Sequence, residues 1–166
     1  GIVLEELRAR GDANRVLVVA PASLVEQWQN ELADKFGQEY VIFDRNELQT
    51  RQQQFDQSAW RTANTIVTSI DFIKQEDIRE QLRQVEWDVA VFDEAHHLTA
   101  RRQNGYINPT DRYRVGQIVA ERTDALLLLT GTPHKGKRDQ FYYLLRLLRP
   151  HLFRDIDHVS VDRVNE

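Results

Sequence analysis

The 166-residue sequence contains no cysteine and no methionine. Without cysteine there are neither disulfides nor thiolate metal ligands, and the chain fits a reducing compartment. Without methionine, even at its first position, it reads as a piece of a longer protein. No apolar run approaches the ~18–20 residues of a membrane-spanning helix. The opening Gly1-Ile2-Val3-Leu4-Glu5-Glu6 lacks the charged start of a signal peptide. Excess positive charge is lacking too: 22 basic residues face 26 acidic ones, for a net charge of −4. Such a balance gives no domain-wide attraction for nucleic acid, so any such partner must be met by local sites. What is present is 41% hydrophobic and 29% charged residues, enough to build a packed core and too apolar for a disordered tail. The length fits one domain of ordinary size.

Strand and helix patterns alternate along the chain. Val3, Leu4 and Leu7 at helical spacing place a helix up to Arg10, stopped by Gly11. Val16 to Ala20 is a continuous apolar run ended by Pro21, which suits a strand covered on both faces. Ser23 is expected to cap a helix reaching Phe36, with Glu26 as its capping-box partner and Gly37 as the stop. Val41 to Phe43 reads as a short strand, Asn46 to Ser58 as a Gln-rich polar helix, Thr65 to Ser69 as a strand and Asp71 to Val85 as a helix. Val89 to Phe92 is the next strand, followed by a polar loop over 99–111, a helix from Tyr113 to Glu121, and a last buried strand, Leu126 to Leu129. A helix from Asp139 to Leu148 stops at Pro150. Five strands alternating with helices imply right-handed crossovers, hence an α/β fold: a mostly parallel sheet with helices on both faces. In such a sheet ligands sit beyond the carboxyl ends of the strands. Those ends hold Ser23, Thr68-Ser69, Asp93-Glu94 and Thr130-Gly131-Thr132.

The run Val89-Ala90-Val91-Phe92 ends abruptly in Asp93-Glu94-Ala95-His96-His97. A carboxylate just past a buried strand is rigid and partly desolvated, which suits a magnesium site reached through water. Two adjacent carboxylates can divide the work of nucleotide hydrolysis: the first holds the metal, the second orients or deprotonates the attacking water. The competing explanation is a strand followed by a helix whose cap is Asp93. Zinc ligation by His96 and His97 does not fit, because neighbouring side chains diverge and no HExxH spacing occurs. Trp28 is expected to be a core aromatic packing its helix on the sheet. Arg101 and Arg102 fall in the polar loop, where they are either solvated or near nucleic acid.

These residues resemble a known family. Asp93-Glu94-Ala95-His96 after an apolar strand resembles motif II of the superfamily-2 helicases. Val18-Val19-Ala20-Pro21-Ala22-Ser23-Leu24-Val25-Glu26-Gln27-Trp28 resembles motif Ia of the Snf2 branch, Thr68-Ser69-Ile70-Asp71-Phe72 motif Ib, and Leu128-Leu129-Thr130-Gly131-Thr132-Pro133-His134-Lys135-Gly136 motif III. Arg112-Tyr113-Arg114-Val115-Gly116, with the motif III stretch, is similar to the RapA/HepA-like subgroup associated with RNA polymerase. The four motifs occur in the family's order across nearly the whole chain.

The resemblance implies the first RecA-like ATP-binding lobe of an Snf2-type translocase, a three-layer sandwich using ATP and Mg2+. It implies that Asp93 holds magnesium through water, that Glu94 activates the hydrolytic water, and that His96 passes the nucleotide state to Thr130, Gly131 and Thr132. Ser23, Thr68 and Ser69 would touch a nucleic-acid backbone, for which a hydroxyl and free amides at a helix start are suited. The implied partners are duplex DNA, a second RecA-like lobe of the same protein and RNA polymerase, in the cytoplasm of a prokaryote, at the nucleoid. Residues 1–150 would form the lobe and 151–166 a connection onward.

One family element is absent from these residues. A phosphate-binding loop, GxxxxGK[ST], is needed before motif II, and none precedes Asp93. The expectation is that the chain begins just after that loop, without the loop or its strand, and does not hydrolyse ATP by itself. The alternative is a docking or DNA-contact module that never had the loop. Gly131 to Lys137 imitates the pattern, but Arg138 stands where a metal-binding hydroxyl is required and Pro133 removes an amide from the cradle.

Overall fold

The computed structural model describes residues 2–103, 106–131 and 138–151. Seven helices and seven strands are assigned there: α1 (Ile2–Ala9), β1 (Val16–Ala20), α2 (Val25–Phe36), β2 (Val41–Phe43), α3 (Arg45–Gln54), β3 (Thr65–Ser69), α4 (Ile70–Ile73), α5 (Glu76–Leu82), β4 (Trp87–Phe92), β5 (Ala100–Gln103), β6 (Tyr106–Pro109), α6 (Asp111–Glu121), β7 (Thr123–Leu128) and α7 (Arg138–Leu148). Five strands form one parallel sheet in the order β2-β3-β1-β4-β7, and β5 and β6 form a separate antiparallel ribbon. This is the mostly parallel α/β sheet expected from the alternation, and it agrees with the RecA-like lobe that the family resemblance implies.

The side-chain period of two divides the core. Val16, Val18 and Ala20 of β1 face α1 and α2, with Val67, Val89 and Val91 beside them. Leu17 and Val19 face the other way, into a larger cluster with Phe43, Trp60, Ile66, Phe92 and Tyr143. All five residues of β1 are buried, as a strand covered on both faces requires. Each such aliphatic side chain contributes roughly 1.5–3 kcal/mol on burial. That makes β1 and its neighbour β4 the rigid centre on which the loops at their carboxyl ends are mounted.

Several elements differ from expectation. The chain after Pro21 first makes a 3-10 turn, Ala22–Leu24, closed by Leu24 N–H donating to Pro21 O at 2.9 Å. α2 begins only at Val25 and no side chain caps it, so Ser23 is an exposed member of the preceding turn rather than the cap. The stop is as expected: Gly37 has φ 61°, and the amides of Gly37 and Gln38 return to Ala33 O and Leu32 O. α3 ends at Gln54, short of Ser58, because Phe55 turns to extended backbone.

The helix expected over 71–85 is two helices. Ile70 and Ile73 bury the first, Ile78 and Leu82 the second. The step from Ile73 to Ile78 is five residues, out of phase with a 3.6-residue turn, so one continuous helix cannot bury both pairs. The polar loop over 99–111 contains the β5–β6 ribbon, with Ala100 opposite Pro109 and Gln103 opposite Tyr106. β7 starts at Thr123 and stops at Leu128. Its residues Ala125 to Leu128 are half-buried rather than buried, because among the described residues β7 has a strand on one side only.

Candidate functional site

Strand register sets the site. Val19 of β1 lies level with Thr68 of β3 and Phe92 of β4, and Phe92 lies level with Leu128 of β7. The next residue of each strand or loop, Ala20, Ser69, Asp93 and Leu129, therefore emerges at the same edge. The Asp93 amide still donates to Val19 O at 2.8 Å, which continues the sheet one residue into the site.

Past Asp93 the chain makes a strained turn. Glu94 has φ 48° and ψ 43°, and it is the one non-glycine residue with positive φ among the described residues. Such a conformation costs an L-residue of order 1–3 kcal/mol and persists only when its surroundings hold it. Here the Glu94 amide donates to Asp93 Oδ1 at 2.8 Å, and the Ala95 amide to Leu129 O at 2.8 Å. The Leu129 amide in turn donates to Phe92 O at 2.8 Å. The acidic turn and the end of β7 are thus locked together through their backbones.

The side chains follow the same connection. His96 Nδ1 lies 3.0 Å from Glu94 Oε2 and 3.2 Å from Thr130 Oγ1. The imidazole is largely shielded while the Glu94 carboxylate is 39% exposed, so the carboxylate remains open to a ligand. The His96 ring also packs against His97 at 4.1 Å between centroids. His96 therefore stands between the acidic turn and the residue following β7. Gly131 is exposed beside Thr130, whereas Thr132 and the rest of the 132–137 stretch lie outside the described residues. So do Lys135 and Lys137 of the imitation phosphate loop.

Two of the three backbone-contact candidates stand at the surface of this edge. Ser23 is exposed, and the half-buried Ser69 caps α4, its hydroxyl accepting from the Phe72 amide at 3.1 Å. Thr68 lies beneath them, fully buried, donating its hydroxyl to Phe43 O at 2.7 Å and so tying β3 to β2.

Two neighbours escaped the sequence reading. Trp28, expected as a core aromatic, does pack its ring on the α1–α2 side of the core. Its indole N–H, however, donates to Asp93 Oδ2 at 2.8 Å, beside a cavity of about 250 Å3 that Leu24, Gln27, Phe36 and Asp93 also line. The signal available was its position: Trp28 falls in the first turn of α2, close to the ligand edge. The second is Arg112, at the start of α6, which lines a small pocket with Pro21, Asp71, Asp93, Glu94 and His97. Its guanidinium donates to Asp71 Oδ1 at 2.7 Å, as does Lys74 at 2.7 Å. Hydrogen bonds from Lys74 and then Arg112 hold the Asp71 carboxyl below its ordinary range.

Comparison with known proteins agrees with the fold. The sequence matches the family described as SNF2-related domain over residues 2–161. The fold resembles the SWI2/SNF2 ATPase core of Sulfolobus solfataricus in complex with dsDNA, with a TM-score of 0.70 and 20% identity, over 93% of this chain and 29% of that one. It resembles the same organism's SWI2/SNF2 ATPase core domain with a TM-score of 0.66 and 21% identity, over 93% of this chain and 28% of that one. The helicase MrfA bound to DNA and AMPPNP is more distant, with a TM-score of 0.51 and 14% identity, over 86% of this chain and 20% of that one. The chain thus spans less than a third of the length of each of these structures.

Proposed function

This chain belongs to the SNF2-related domain family, and from that premise we propose that it is part of the ATP-binding lobe of a nucleic-acid-dependent ATPase that translocates on duplex DNA. The observation that carries the proposal is the placement of His96, whose Nδ1 reaches Glu94 at 3.0 Å and Thr130 at 3.2 Å. A plain helix cap at Asp93 requires neither contact.

Asp93 and Glu94 offer carboxylate oxygens, and no group of three or more His, Cys, Asp or Glu that could hold a metal occurs among the described residues. Two adjacent carboxylates fit an ion that takes one or two of them and fills its other positions with water and phosphate oxygens. Asp93 would hold Mg2+ through water; when bound, the ion neutralises charge on the phosphates of ATP. Glu94, half-exposed on its strained turn, would orient the attacking water and take its proton. His96 would sense that carboxylate and report to Thr130, and through the adjoining Gly131 and Thr132 to the rest of the protein. Ser23 and Ser69 would receive the nucleic-acid backbone, with Thr68 holding the strand end beneath them. The second lobe and an RNA polymerase client belong to the RapA-like form of the proposal, which co-purification of RNA polymerase with the tagged complete protein would support and its absence under cross-linking would overturn.

The test is ATP hydrolysis by the complete protein carrying this chain, wild type against Glu94→Gln. A positioned general base contributes on the order of 100- to 10,000-fold. We expect a loss of that size with ATP binding retained. Turnover within about threefold of wild type would remove Glu94 from the chemistry.

A second proposal, a docking module without catalysis, draws on the lack of any GxxxxGK[ST] stretch ahead of Asp93. The two diverge in the coding sequence upstream of Gly1. A phosphate loop encoded within about ten residues favours the ATPase, because that loop must open the preceding helix; a start codon there favours the module.

A further inference from the structure

We infer that Trp28 is a positioning residue for Asp93, holding one carboxylate oxygen so that the carboxylate keeps a single orientation toward the ligand edge. This rests on the proposal that Asp93 is the metal carboxylate. Both Asp93 oxygens have donors: Oδ2 accepts from Trp28 Nε1 at 2.8 Å and Oδ1 from the Glu94 amide at 2.8 Å. With two donors on different oxygens, rotation of the carboxylate about its last bond breaks at least one of them. Hydrogen bonds to a charged acceptor are among the stronger ones in proteins, and groups behind a metal ligand commonly set its affinity.

The chain has three tryptophans. Trp60 and Trp87 are fully buried, and among the described residues their indole N–H groups have no hydrogen-bond acceptor. The Trp28 indole has an acceptor, the carboxylate at the strand end. The bond also crosses between elements 65 residues apart in sequence, from the first turn of α2 to the end of β4. α2 follows directly on the Ala22–Leu24 turn that exposes Ser23. One side chain therefore links the turn proposed to meet nucleic acid with the carboxylate proposed to meet the metal.

The experiment uses the complete protein that carries this chain, 15N-labelled at tryptophan and glutamate. In its first arm, Asp93→Ala is expected to shift the Trp28 indole resonance and speed its exchange with solvent, leaving those of Trp60 and Trp87 in place. A Trp28 resonance that does not move overturns the link. In the second arm, Mn2+ alone is titrated and the broadening of the Glu94 amide is followed. Trp28→Phe keeps an aromatic ring at this position but removes the five-membered half of the indole, and with it the donor to Asp93. It is expected to need about tenfold more Mn2+ for equal broadening, the scale on which groups behind a metal ligand act. Equal Mn2+ dependence in the two proteins, with unchanged circular dichroism, overturns the positioning role while leaving Asp93 as the metal carboxylate. A Glu94 amide that wild type leaves sharp, while other amides broaden, overturns the metal assignment, and the positioning role falls with it whatever the first arm shows.

Discussion

Replacing Glu94 by glycine and, separately, by alanine divides the backbone cost of this residue from the work of its side chain. Both substitutions remove the carboxylate and its 3.0 Å contact with His96. Because that carboxylate is 39% exposed, the contact is screened and contributes at most about 1 kcal/mol to stability, equally lost in both variants. The variants differ in what they make of φ 48°. Alanine keeps the penalty of an L-residue in the left-handed region, about 1–2 kcal/mol. Glycine sheds it and gives back roughly 0.5–1 kcal/mol through the greater freedom of its unfolded chain. Glu94→Gly should therefore be more stable than Glu94→Ala by about 0.5–1 kcal/mol. For a chain of this size that amounts to ~1–4 °C in melting temperature. Urea unfolding followed by circular dichroism measures it, provided the two variants share one m-value. An alanine variant as stable as the glycine variant would limit the strain to the roughly 0.5–1 kcal/mol that glycine gives back, and an alanine variant more stable than the glycine one would refute a strained turn. In the complete protein both variants should lose hydrolysis, so the glycine form would gain backbone stability where it loses function.

Three further outcomes are expected. Burial pushes the Tyr113 hydroxyl up to about 12, from an ordinary value near ~10. The unfolded chain ionises first, so the stability this group supplies is complete below pH ~10 and is lost as pH rises toward ~12, by about 3 kcal/mol in all. Tyr113→Phe should flatten that alkaline loss in pH-dependent urea unfolding, and an unchanged slope would refute the assignment. Gly116 of α6 is packed so closely that a Cβ there would lie 3.4 Å from Cδ1 of both Leu147 and Leu98. Gly116→Leu should cost ~1–3 kcal/mol in the same assay, and a neutral result would show that α6 and α7 can part freely. The 166-residue chain on its own should show no Mg2+-dependent ATP turnover above background, since no phosphate loop precedes Asp93; clear turnover would refute this.

The parallel sheet was legible because its strands announce themselves. Val16 to Ala20 is apolar throughout and ends at a proline, and the structure places that strand on those same residues. The acidic strand end was legible for the same reason: Asp93-Glu94 follows a run that can only be buried. Less visible were features decided by tertiary contact. Residues 70–82 carry a helical composition, and only the phase between Ile73 and Ile78 betrays two helices. The ribbon over 100–109 hid in polar residues that carry no clear strand alternation. Pro21 deferred α2 by a turn and displaced Ser23 from the cap that its spacing to Glu26 suggested. In the site, the carboxylates and His96 could be picked out by type and order. Trp28 and Arg112 could not, because an indole donor and a guanidinium acquire their roles from what they face, and sequence spacing does not carry that.

The connection among Glu94, His96 and Thr130 is the claim on which the functional account turns, and a double-mutant cycle tests it most directly. DNA-stimulated ATP turnover by the complete protein would be measured for wild type, His96→Ala, Thr130→Val and the pair. If His96 passes the nucleotide state to Thr130, the double variant should lose little more than the worse single one, a coupling of roughly 0.5–3 kcal/mol. Losses that simply add, to within about 0.5 kcal/mol, would mean that the 3.2 Å contact between them carries no signal.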